Sequence, residues 1–215
     1  MKDDRYQLYE EYMLTSLHDS AHDSEHVYRV LHVALDIAAY ETGVDMEILT
    51  VSCLLHDIGR KEEREDPQLC HAVVGADKAF RFLQQHNWET ERAARGRDCI
   101  AQHRYRNNNR PDRIEAKILF DADKLDAAGA VGIARTLIYK GMISEPIYTL
   151  KPDGTVSDGD GDVRPSFFKE YKSKLEKLYD NFYTERGRAL ALSRKAAAES
   201  FYNSLLEEVR MIYNH

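Results

Sequence analysis

A chain of 215 residues with 43% hydrophobic content can bury one substantial core, so a single domain over residues 1–215 is the expectation. Its 37 acidic residues exceed its 30 basic ones, and the formal charge of -7 offers no overall basic field to gather a nucleic-acid backbone. Three cysteines without CxxC spacing do not make a secreted disulfide scaffold, the start MKDDRYQLYEEY is not a signal peptide, and no stretch approaches about 18 uninterrupted apolar residues; a cytoplasmic protein with no nucleic-acid or membrane partner is expected.

In chain order, apolar residues recurring at a period of roughly 3.6 predict helices at about 4–18, 25–42, 45–57, 68–86, 89–103, 112–127 and 129–140. Two longer helices, joined near Gly187, are expected after residue 165 and pack on the core as a C-terminal extension over 165–213. Ser24, Asp45 and Pro111 with Asp112 stand where helix starts need caps. Gly43 has the position of a left-handed helix stop, and Gly59 after LLHDI ends the third helix at or just past His56 and Asp57. Residues 145–165 are the one long non-helical stretch, with Ile147 to Leu150 and Thr155 to Val156 flanking Pro152, Asp153 and Gly154 as a short hairpin would. The predicted class is all-α.

The chemistry lies in histidines and acids. His26 in DSEHVYRV, His56 with Asp57 in SCLLHDIGR, and Asp123 in LFDADKLD are candidate metal ligands. Imidazole nitrogen and carboxylate oxygen together suit Mn, Fe, Co, Ni or Zn better than Ca. The doublet is the sharpest sign. Asp57 directly follows the apolar run Val51, Cys53, Leu54, Leu55, and a carboxylate there is costly unless something positive meets it.

These residues resemble the HD-domain metal-dependent phosphohydrolases, whose pattern is a lone histidine, a His-Asp doublet and a distant aspartate. The matching positions are His26, His56 with Asp57, and Asp123, separated by 30 residues (56 minus 26) and 66 residues (123 minus 57). The resemblance covers about residues 20–140, and the stretch HRYRNNNRPDRIEAKILFDADKLDAAGAVGIARTLIYKG is similar to the small stand-alone bacterial members, as is YDNFYTERGRALALSR. It implies an HD helical bundle, a divalent metal (Mn, Co, Ni, Fe, Zn or Mg), and hydrolysis of a phosphate ester or anhydride. Nucleotides lead as the substrate class. His71 and His103 stand where binuclear members place two further histidines, so they would either hold a second metal, with Asp57 bridging, or line the pocket and touch a phosphate oxygen. The comparison with small mononuclear members favours one essential ion.

The ligand set predicts a mechanism in which metal-activated water attacks phosphorus, with nearby cations meeting the charge that develops on the phosphate. Arg29, one turn after His26, and Lys124, beside Asp123, are the leading cations; Lys61, Arg104 and Arg106 follow, and Asp126 is a candidate to orient a ligand or water. Other readings stand beside this one: a metal cluster at His18, His22 and His26, a noncatalytic nucleotide or metal sensor, and oxidation at a binuclear iron centre. Asp158, Asp160 and Asp162 fail as a calcium loop, because Val163 and Lys169 replace the glycine and glutamate it needs. Cys53 and Cys99 read as small buried hydrophobes.

Overall fold

The computed structural model describes residues 4–17, 24–104 and 109–213. His18, His22 and Arg106 lie outside the described residues. The described chain is all-α, with no named strand, and contact density divides it into two compact units, Met1–Asp123 and Lys124–His215.

The first unit is built on α1 (Asp4–Ser16), α2 (Ser24–Ala38), α3 (Met46–Leu55), α4 (Arg60–Glu65), α5 (His71–Gln85), α6 (Thr90–Gln102) and most of α7 (Ile114–Leu125). The sequence MEILTVSCLL is apolar on every side of a helix, and α3 accordingly lies at the centre, packed against α1, α2, α5 and α6. Its buried Cys53 is an inert thiol, which burial pushes to a raised pKa, and burial likewise carries Cys99 up to about 12. Asp45 caps α3 as expected, accepting from the Ile48 amide at 3.2 Å.

The same end is clamped by ion pairs. Arg92 reaches Asp45 at 2.9 Å and Glu47 at 2.6 Å, and the buried Glu115 of α7 accepts from the Asp45 amide at 2.8 Å and from Arg95 at 3.3 Å. Both α3 and α7 thus have their starting ends tied together, and their far ends carry His56 and Asp123. Gly43 takes the left-handed conformation, φ 73°, although α2 ends earlier, at Ala38.

Helix α4 was not expected, because RKEERE has no apolar face to announce it. The turn before it is fixed by backbone contact with α5. A Cβ on Gly59 would stand 2.3 Å from the His71 carbonyl oxygen and 2.6 Å from the Gly75 amide nitrogen. Glycine at 59 lets the His-Asp turn lie directly on the start of α5.

The second unit holds α8 (Gly129–Met142), α9 (Phe167–Glu170) and α10 (Glu185–Tyr213). The expected hairpin is present as an antiparallel bridge between Leu150 and Val156. Asp162 ties this loop down by accepting from Thr149 and Ser157 hydroxyls, both at 2.7 Å, instead of facing solvent as a calcium ligand. The tail departs from expectation. The break is not at Gly187: α9 passes into a π turn, Tyr171–Leu175, and a 3-10 turn, Leu178–Asp180, and α10 then begins at Glu185. Thr184 accepts from the Gly187 amide at 3.0 Å, so Gly187 lies in a capped first turn. The aromatic anchors Phe167, Phe168, Tyr171, Tyr179 and Phe182 are all buried, and this demand overrides a regular helical period before residue 184.

Candidate metal centre

Five elements of the first unit bring candidate ligands to one place. His26 comes from the first turn of α2, His56 and Asp57 from the turn ending α3, His71 from the first residue of α5, His103 from the end of α6, and Asp123 from α7. Two groups of donor atoms result, His26 with His56 and Asp123, and Asp57 with His71 and His103; within each group the atoms lie within 4.8 Å of one another.

In the first group, His26 Nε2 is 3.3 Å from His56 Nε2 and 3.4 Å from Asp123 Oδ1, and His56 Nε2 is 3.8 Å from that oxygen. Asp57 Oδ2 joins it at 3.5 Å from His26 and 3.6 Å from His56. In the second, His71 and His103 present Nε2 atoms 3.2 Å apart, at 3.5 and 3.7 Å from Asp57 Oδ1. Asp57 therefore stands between the groups, one oxygen toward each.

The proton positions follow from the outer partners. His56 Nδ1 is 2.8 Å from the Cys53 carbonyl and His103 Nδ1 is 2.6 Å from the Ile100 carbonyl; a carbonyl can only accept, so each Nδ1 carries the proton and each Nε2 turns a lone pair inward. His71 Nδ1 meets the Glu63 carboxylate at 2.7 Å and Arg104 Nη1 at 3.0 Å. Glu63 in turn accepts from Arg104.

Asp57 Oδ2 is fully buried and has no hydrogen-bond partner, a costly state for a carboxylate oxygen. A divalent cation resolves this, and nitrogen and carboxylate donors are the set such a cation takes. The residues fit the group. Burial alone would raise both carboxylates; His56, Arg60 and His26 outweigh it at Asp57, and the His26 hydrogen bond with the charges of His56, His26 and His103 outweighs it at Asp123, holding both below the usual range. Burial, with Arg60 beside it, lowers His71 to about 3, and burial with His56 lowers His103 to about 4. These imidazoles are neutral at neutral pH, as ligands must be. The Asp57 side chain is fully enclosed, whereas that of Asp123 is 27% exposed.

Arg29 is half-buried one turn along α2 from His26. Lys124 donates to the Asn181 carbonyl at 3.0 Å, Asp126 pairs with Arg135 at 2.6 Å, and Lys61 is exposed, 3.9 Å from Glu65. Two residues absent from the sequence reading stand beside the candidate ligands: Arg60, with Nε 2.9 Å from Asp57 Oδ1, and Glu63, 2.7 Å from His71 Nδ1. The signal for them was the charged run RKEERE that begins two residues, Ile58 and Gly59, past the doublet, three residues being enough to return Arg60 to Asp57.

The HD domain model matches residues 23–128, which span all six ligand candidates. The Bacillus subtilis protein YpgQ is 29% identical over 199 residues, covering 90% of this chain and 83% of YpgQ. A crystal structure of YpgQ in complex with ADP superposes with a TM-score of 0.74 at 26% identity, covering 95% of this chain and 97% of that one. An HD-superfamily hydrolase from Bacillus thuringiensis gives 0.72 at 29% identity, with 97% and 98% covered. A predicted HD superfamily hydrolase from an uncultured Thermotogales bacterium gives 0.63 at 27%, with 95% and 91% covered. With its helical architecture, its paired histidine and aspartate groups and these likenesses, the chain belongs to the HD superfamily.

Proposed function

We propose that this protein is a metal-dependent phosphohydrolase acting on a nucleotide or a similar small phosphorylated compound. The observation that carries the reading is the buried, unpartnered Asp57 Oδ2 among His26, His56 and Asp123, donors of the kind a divalent ion takes. The likeness to YpgQ, which has been crystallised with ADP, supports a nucleotide as the substrate class. Free Cys53, Cys70 and Cys99 accord with a reducing, cytoplasmic setting.

His26, His56, Asp57 and Asp123 would hold the ion, which when bound supplies Lewis acidity and a more acidic water. The chain's own residues do the rest. The carbonyls of Cys53 and Ile100 fix the tautomers of His56 and His103, and Glu63 and Arg104 hold the His71 ring in place. Arg60 and Arg104, which lie beside the second histidine group, form the cationic side against which phosphate oxygens would lie; Arg29 and Lys124 remain proposed contacts for more distal phosphates, and His71 and His103 line the pocket. The partial exposure of Asp123 leaves a route for substrate and water.

The test is purified protein loaded with Mn, Co or Ni and given a panel of nucleoside mono-, di- and triphosphates. Phosphate or pyrophosphate release that falls at least about a hundredfold in Asp57→Ala is expected, the scale on which a metal's contribution is lost. Nucleotide binding without turnover under every metal would instead make the protein a sensor.

A further inference from the structure

The two oxygens of Asp57 are not equivalent. Oδ2 has no hydrogen-bond partner and faces His26 and His56. Oδ1, which faces His71 and His103, already accepts from Arg60 Nε at 2.9 Å. Arg60 is anchored further by Glu63, its Nη1 lying 3.7 Å from Oε2, and Glu63 is itself engaged by His71 and Arg104. The guanidinium thus belongs to a network and is not a loose surface side chain.

We infer that Arg60 takes the place of a second metal ion, so that the centre holds one divalent cation per chain and the group formed by Asp57, His71 and His103 stays metal-free while Arg60 is present. The inference rests on the metal-dependent reading of the first group. Its physical basis is competition for one oxygen. The second group has suitable donors, and without Arg60 an ion would find a carboxylate oxygen and two imidazole nitrogens. With Arg60 in place, an ion bonded to Oδ1 must share that atom with a guanidinium that cannot give up its proton. Two like charges around one buried oxygen repel with little screening by solvent or salt.

The experiment is metal stoichiometry, read by calorimetric titration of the metal-stripped full chain with Mn2+ and by elemental analysis after desalting. One ion per chain is expected for the native protein, two for both Arg60→Ala and Arg60→Gln, and one again when His71→Ala is added to either. Circular dichroism identifies any variant that does not fold; Arg60→Gln, which keeps a hydrogen-bond donor without the charge, serves if Arg60→Ala is lost. Two ions in the native protein, or a single ion in a folded Arg60 variant, would overturn the assignment of Arg60 while leaving the metal centre intact. No ion in the native protein would instead overturn the metal-dependent reading on which it rests.

Discussion

His71 and His103 show how burial sets protonation at this centre. Their folded pKa values of about 3 and about 4 lie below the ordinary value of about 6.5. Between those values the unfolded chain binds more protons than the folded one, so the stabilisation is complete above about pH 6.5 and is lost as pH falls through the folded values. Asp57 and Asp123, held below the usual carboxylate range, add their loss at still lower pH and in the same direction. Urea midpoints of the metal-stripped protein should therefore fall steadily from pH 7 to pH 4, less steeply in His103→Gln; a flat or rising profile would contradict the placement of these imidazoles. At this scale His26, His56, Asp57 and Asp123 were legible because their residue types carry metal chemistry. Arg60 and Glu63 were not, because an arginine and a glutamate in a charged run look solvated until the turn at Gly59 folds them back.

The elements that bear the candidate ligands are tied at their ends. The Asp45, Glu115 and Arg92 cluster ties the starts of α3 and α7, and the turn at Gly59 lies on the backbone of α5. Gly59→Ala would place a methyl 2.3 Å from the His71 carbonyl, against backbone that cannot rotate away. It should destabilise the fold by about 1–3 kcal/mol, the usual cost of overpacking, and displace His71 from Asp57. Thermal denaturation checks the first effect, and an unchanged midpoint would show that the approach of turn and helix is looser than described. Helices with an apolar stripe or an apolar whole, α2, α3 and α5, were readable from period alone. Helix α4 was hidden by its lack of any apolar residue, and the irregular turns between α9 and α10 were hidden by aromatic side chains that fill the core at non-helical spacing.

At the scale of the molecule, the chain divides by contact density within α7, two residues before that helix ends. The proposal of one domain over residues 1–215 predicts a single calorimetric transition whose van't Hoff and calorimetric enthalpies agree; two resolved transitions would make the units independent. No helix among the described residues is long and apolar enough to cross a membrane. All six metal-ligand candidates lie in the first unit, so the centre is defined by that unit alone. Its existence is tested most directly by anomalous diffraction from crystals of the protein grown with Mn2+. The predicted result is a strong peak bonded to His26, His56, Asp57 and Asp123 at about 2.0–2.2 Å from their donor atoms. A map at full manganese saturation with no peak among those four side chains would contradict the account.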